Sequence, residues 1–147
     1  MRYISTEVLK PYKVLSRKIS LPLYLSKVPA GFPSPADDYI DEKLNLDKHL
    51  IKNKPATYIV QVDGDSMTGA NITSGDMLIV DRSIKPLKGH IVIACLDGEL
   101  TVKKLQVINR KVCLVAENKK YAPIEINADS DLIIWGVVTF IIHKPLV

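Results

Sequence analysis

The sequence predicts an all-β domain, mainly antiparallel, preceded by an extended N-terminal arm and one short helix. Three observations carry that reading. From Thr57 onward, short apolar runs are divided by turn residues at close intervals. Two of those runs flank Asp97-Gly98, a strong hairpin signal. Six of the nine prolines (Pro11, Pro22, Pro29, Pro33, Pro35 and Pro55) precede residue 56, so the later region keeps the backbone donors that strand ladders need.

Residues 1–38 read as the arm. Clusters such as Leu21-Pro22-Leu23-Tyr24-Leu25 are too broken for a useful helix, because proline removes a donor and restricts its predecessor. Phe32-Pro33-Ser34-Pro35-Ala36 adds a stiff, extended piece. Residues 37–53 are the one good helical window. Asp37 or Asp38 can cap it, Tyr39, Ile40, Leu44, Leu46 and Leu50 supply a partial apolar face, and Asn45-Leu46-Asp47 offers a second start.

Residues 39–147 read as the β domain, with Tyr58 to Val62 as its first strand, ending at Asp63-Gly64. Met77 to Val80 follows the Ser74-Gly75-Asp76 turn. His90 to Leu96 and Glu99 to Val107 form the hairpin around Asp97-Gly98, and Lys111 to Ala116 and Leu132 to Ile142 complete the set. The chain of 147 residues is long enough for one ordinary core and shows no internal repeat.

The net charge of +4 is unevenly spread. Residues 1–30 hold Arg2, Lys10, Lys13, Arg17, Lys18 and Lys27 against Glu7 alone, a net of +5 that leaves −1 for residues 31–147. Such an asymmetry marks a solvated tail more often than a nucleic-acid contact. Cys95 and Cys113 lie inside apolar runs and read as buried thiols of a reducing compartment. No stretch reaches the length of a membrane span and no secretory leader is visible, so a cytoplasmic protein is expected.

The chemistry-bearing feature is Ser66, in Val62-Asp63-Gly64-Asp65-Ser66-Met67, with Thr101-Val102-Lys103-Lys104-Leu105 further along. A serine hydroxyl is a poor nucleophile until a base takes its proton. A lysine serves as that base when burial keeps its amine neutral, so a Ser–Lys dyad needs neither histidine nor aspartate. Backbone N–H groups at Asp65 and Ser66 are candidates for an oxyanion site. Adjacent strand residues face opposite sides, so only one of Lys103 and Lys104 can reach Ser66, and periodicity leaves the choice open. Val28-Pro29-Ala30-Gly31-Phe32 has the small residues of a cleavable segment, with Val28 and Ala30 on one side if extended.

Other candidates are weaker. His49, His90 and His143 are scattered and read as surface or turn residues. Asp63, Asp65, Asp76, Asp81 and Asp97 sit at turns, where aspartate is favoured for backbone reasons. No metal-ligand spacing or phosphate loop is present, and no cofactor is expected.

The stretches Gly31-Phe32-Pro33-Ser34-Pro35-Ala36-Asp37-Asp38-Tyr39, Gly64-Asp65-Ser66-Met67, Gly75 to Asp81 and Asp97 to Leu105, continuing through Tyr121-Ala122-Pro123-Ile124 to Trp135-Gly136-Val137-Val138, closely resemble the SOS mutagenesis branch of the LexA-type self-cleaving serine peptidase family. The resemblance covers the chain from about residue 20 onward. It implies a LexA C-terminal-domain-like fold, Ser66 as nucleophile, Lys103 rather than Lys104 as general base, and a cut between Ala30 and Gly31. It further implies a homodimer, stimulation by a RecA–single-stranded DNA filament, and a shortened product that joins a UmuC-type Y-family DNA polymerase in translesion synthesis. Cleavage there would remove the whole +5 segment. A repressor would need a helix-turn-helix ahead of the cut, which residues 1–30 cannot supply, so direct sequence-specific DNA binding is not expected.

Overall fold

The run Ile91-Val92-Ile93-Ala94-Cys95-Leu96 carries apolar side chains toward both faces, which suits a strand covered on both sides. The computed structural model, which describes residues 9–12, 20–24, 27–33 and 40–147, places it at the middle of the architecture. In chain order the elements are β1 (Leu9–Tyr12), β2 (Ser20–Tyr24), β3 (Ile40–Asn45), α1 (Leu46–Leu50), β4 (Thr57–Val62), β5 (Met77–Asp81), β6 (Ile91–Leu96), β7 (Glu99–Ile108), β8 (Lys111–Val115), β9 (Ile124–Glu125) and β10 (Leu132–Ile142).

Among the described residues the strands form an eight-stranded sheet, ordered β1-β4-β5-β10-β6-β7-β8-β9, and a separate β2–β3 hairpin. Every pairing is antiparallel. The expected all-β, mainly antiparallel class therefore holds. The β6–β7 hairpin turns at Asp97-Gly98, both with positive φ, as a tight two-residue turn requires.

The residues fall into two compact units. One consists of β1 with residues 53–147, and the other contains β2, β3 and α1. In the larger unit, Ile93 and Cys95 of β6 join Val60, Val62, Met67, Ile72, Leu78, Val80, Leu100 and Val102 in one apolar cluster. Val92 and Ala94, on the opposite face, join Leu114 and Val137 in another. Full burial of each valine, leucine, isoleucine or methionine among them contributes on the order of 1.5–3 kcal/mol. The thiols of Cys95 and Cys113 are free and buried, as their apolar surroundings suggest.

β10 runs between β5 and β6 and shifts register twice, at Ile134/Gly136 and at Val138/Phe140. A Cβ at Gly136 would lie 2.6 Å from Val80 Cγ1, so glycine lets the bulged strand press onto the buried face of β5.

The helical window over 37–53 is corrected by the structure. Ile40–Asn45 is a strand paired with β2, from Ser20↔Asn45 to Tyr24↔Ile40, and helix is confined to Leu46–Leu50. Pairing with a distant segment has overridden a modest helical pattern. The second start at Asn45 is the real one, its side chain accepting from the Lys48 N–H at 3.1 Å. Asp37, Asp38 and Tyr39 lie outside the described residues. No helix among the described residues is long and apolar enough to cross a membrane.

Candidate active site

β4 ends at Val62, whose N–H donates to the Asp76 carbonyl and whose carbonyl accepts from the Gly75 N–H, both at 2.8 Å. The residues between are thereby closed into a loop that carries Ser66. Gly64, at φ +105°, makes the turn that brings Asp65 and Ser66 round. Met67 and Ile72 anchor the loop by burying their side chains in the core, and a single 3-10 turn at Thr68–Ala70 joins them.

Lys103 arrives from β7, opposite Val92 of β6, a residue with no solvent exposure. The lysine is itself only 8% exposed. Its Nζ lies 2.9 Å from Ser66 Oγ, 2.8 Å from Thr101 Oγ1 and 3.1 Å from the Val102 carbonyl oxygen. Burial depresses the Lys103 pKa below the ordinary lysine value, and no carboxylate among the described residues offsets the effect. A neutral amine has two donors and one lone pair. In that neutral form, with the Val102 carbonyl and the Thr101 hydroxyl accepting the two donors, the lone pair would face the Ser66 hydroxyl.

Lys104, the alternative that periodicity left open, points the other way and pairs with Glu117 at 3.0 Å, both side chains about one-third exposed. The alternation of strand side chains places one lysine in the site and its neighbour outside.

A small hollow beside Ser66 is lined by Val62, Asp63, Gly64, Met67, Thr101 and Val102. Among the described residues, no acceptor engages the backbone N–H groups of Asp65 and Ser66. Ala30 and Gly31 belong to the other unit. Residues 27–33 are exposed throughout, Val28 at 90% and Phe32 at 95%, and the chain bends over Ala30–Phe32 instead of running straight. The chain across the Ala30–Gly31 bond is therefore not fully extended here.

Three residues of this region were not singled out for a role in the sequence. Thr101 was legible in principle, because it stands two positions before Lys103 and so shares its face. Asn118 and Tyr121 carried no local signal. The Asn118 amide donates to the Asp65 carbonyl at 2.9 Å, and the Tyr121 hydroxyl donates to the Asp65 carboxylate.

His143, read from the sequence as a surface or turn residue, has a carboxylate partner. Its Nδ1 lies 2.6 Å from Asp76 Oδ1. Burial pushes the Asp76 carboxyl up, but hydrogen bonds from Thr73 and His143 and the histidine's charge outweigh it and hold the pKa below the ordinary value. Among the described residues, no group of three or more His, Cys, Asp or Glu side chains is arranged to hold a metal ion.

The model of the Peptidase S24-like family matches residues 22–139, which span the loop of Ser66 and the whole of β7. The chain belongs to that family. It is 43% identical over 133 residues to Protein MucA of Salmonella typhimurium, covering 89% of this chain and 90% of that one. It is 45% identical over 123 residues to Protein SamA of the LT2 strain, covering 84% and 85%. LexA repressor 1 of Xanthomonas oryzae pv. oryzae is 38% identical over 126 residues, which are 86% of this chain and 62% of the repressor. These likenesses agree with the motif-based resemblance to the UmuD-type branch of the LexA family, and they make a peptidase fold the proper frame for Ser66 and Lys103.

Proposed function

We propose that this chain is a self-cleaving serine peptidase of the SOS response that cuts its own Ala30–Gly31 bond. The observation that carries the reading is the 2.9 Å approach of Lys103 Nζ to Ser66 Oγ, made by a lysine that is almost wholly buried. In the first step Lys103 takes the hydroxyl proton and Ser66 Oγ attacks the Ala30 carbonyl carbon. The tetrahedral oxyanion is met by the N–H groups of Asp65 and Ser66. The C–N bond to Gly31 then breaks, Lys103 returns its proton to the departing amine, and Ala30 is left as an ester on Ser66. Water, deprotonated by the same lysine, attacks the ester carbonyl; the C–O bond to Ser66 breaks, Lys103 returns the proton to Ser66 Oγ, and the Ala30 carboxylate is freed.

Residues 1–38 act as the arm that carries the substrate bond, and residues 39–147 as the peptidase-like body. The arm must extend through Val28 and Ala30 to enter the hollow beside Ser66. An adjustment of that kind is where an activator acts, since it has only to favour the extended form. The proposed activator is a RecA–single-stranded DNA filament. The proposed product is a cytoplasmic homodimer that serves as accessory subunit of a UmuC-type Y-family polymerase in translesion synthesis. The relatives named MucA and SamA support this assignment over that of a repressor, because they match along nearly their full lengths.

The test is self-cleavage of the purified chain at alkaline pH, or with activated RecA filaments, read by product mass. A new N-terminus at Gly31, absent from Ser66→Ala and from Lys103→Ala, is the expected result. Cleavage that persists in Ser66→Ala would overturn the assignment.

A further inference from the structure

The loop that carries Ser66 is held from outside by the segment that follows β8. The Asp65 carbonyl accepts from Asn118 Nδ2 at 2.9 Å, and the Asp65 carboxylate accepts from the Tyr121 hydroxyl. The Gly69 N–H donates to the Glu117 carbonyl at 2.6 Å. Approach there is so close that a Cβ at Gly69 would fall 2.5 Å from that oxygen. Together these contacts fasten both sides of Ser66 to one segment.

The contact to the Asp65 carbonyl has a geometric consequence. No peptide bond among the described residues is cis, and a trans peptide unit is planar, with its C=O and the following N–H pointing in opposite directions. Fixing the Asp65 carbonyl toward Asn118 therefore fixes the Ser66 N–H away from Asn118. That N–H engages no acceptor among the described residues.

The contact to the Asp65 carboxylate has an electrostatic one. The groups in hydrogen-bond reach of Lys103 Nζ are the Ser66 and Thr101 hydroxyls and the Val102 carbonyl, and no carboxylate among the described residues pairs with it. The acids flanking Ser66 on its own loop are both occupied elsewhere. Asp63 accepts from the Ser74 hydroxyl at 3.2 Å, and Asp65 accepts from Tyr121. A freed carboxylate close to the lysine would favour the ammonium form, which cannot take a proton from serine.

We propose that Asn118 and Tyr121 are positioning residues for the self-cleavage reaction: Asn118 aims the Ser66 N–H at the developing oxyanion by holding the Asp65 carbonyl, and Tyr121 keeps the Asp65 carboxylate out of ion-pairing range of Lys103. The proposal rests on the Ser–Lys reading and adds to it how the nucleophile's own peptide unit is oriented.

The test compares the full chain with Asn118→Ala, Asn118→Asp and Tyr121→Phe by self-cleavage rate against pH. Alongside it runs the rate of Ser66 labelling by a fluorophosphonate, which forms a tetrahedral adduct without using the arm. Both Asn118 variants are expected to lower the plateau cleavage rate and the labelling rate about tenfold or more, with the pH of half-maximal rate unmoved in Asn118→Ala. Tyr121→Phe is expected to move that pH upward, a shift that a purely structural role would not produce. In the unsubstituted chain, labelling is expected to move the Ser66 amide proton resonance downfield as it bonds to the phosphonyl oxygen.

Folded Asn118 variants with rates within about twofold of the parent would overturn the role of Asn118, as would an unmoved Ser66 amide resonance. An unmoved resonance overturns that role even where a variant fails to fold. An unmoved pH midpoint in Tyr121→Phe would overturn the role of Tyr121. Failure of the parent chain to cleave or to label would instead sink the Ser–Lys reading, and the proposal with it.

Discussion

Replacing Gly69 by alanine tests whether the loop of Ser66 is packed as tightly as the structure describes. The new Cβ would stand 2.5 Å from the Glu117 carbonyl oxygen and 3.2 Å from its carbon. Both are backbone atoms, so no flexible side chain can move aside. Forcing an added methyl into such a contact costs about 1–3 kcal/mol. The hydrogen bond from the Gly69 N–H to the same oxygen, 2.6 Å long, would also be lost or stretched, which costs about 1 kcal/mol more. Against this, alanine restricts the unfolded chain and recovers about 0.4–1 kcal/mol. The net is a destabilisation of about 2 kcal/mol. Urea unfolding followed by the fluorescence of Trp135, which lies on β10 in the same unit, is the assay. With a slope of about 1–2 kcal/mol/M, the midpoint is expected to fall by about 1 M at unchanged slope. A midpoint within about 0.2 M of the parent would mean that the two segments do not touch in this way, and would remove the basis for treating 117–121 as a brace.

Other outcomes follow from the same coordinates. Burial lowers the Lys103 pKa in the folded state, so between that value and the unfolded value near 10.4 the unfolded chain binds more protons and parent stability rises with pH. Lys103→Met is therefore expected to be more stable than the parent near neutrality, with the gap narrowing toward about pH 10; a gap independent of pH contradicts a depressed pKa. The folded pKa of Asp76 is also depressed, but for a carboxylate the sign differs. Its contribution is complete above the unfolded value of about 4 and is lost as pH falls through the folded value. The parent should lose stability on acidification more steeply than Asp76→Asn, and parallel curves in urea titrations between about pH 2 and 6 would refute this. Lys104→Ala removes a pair that is one-third exposed, so a loss of no more than about 1 kcal/mol is expected, shrinking in 1 M salt. A loss above 2 kcal/mol that is indifferent to salt would assign that pair a different role.

The sheet strands of residues 57–147 were legible because local signals and long-range packing agree there. The apolar run of β6 requires cover on both faces and receives it, and Asp97-Gly98 suits only a tight turn. The region before Thr57 was harder, because its segments pair with distant partners that leave no local mark. Leu9–Tyr12 adds to the edge of β4, and Ile40–Asn45 gave up a helical pattern to pair with β2. β9, two residues long, was too short to produce any period.

By itself the sequence determined the β class, the turn that presents Ser66, and a pair of lysines of which one could serve it. Those are properties of neighbours along the chain: turn chemistry, strand alternation and apolar runs. Only the tertiary structure decided which lysine, because the choice depends on which face of β7 meets the loop of Ser66. It also decided the partners of Asp65 and Asp76, which reach from Asn118, Tyr121 and His143 across more than fifty residues of sequence. A side chain's burial and its distant hydrogen bonds are set by the packing of strands that no local window contains, and in this protein those two properties turn a serine and a lysine into a candidate site.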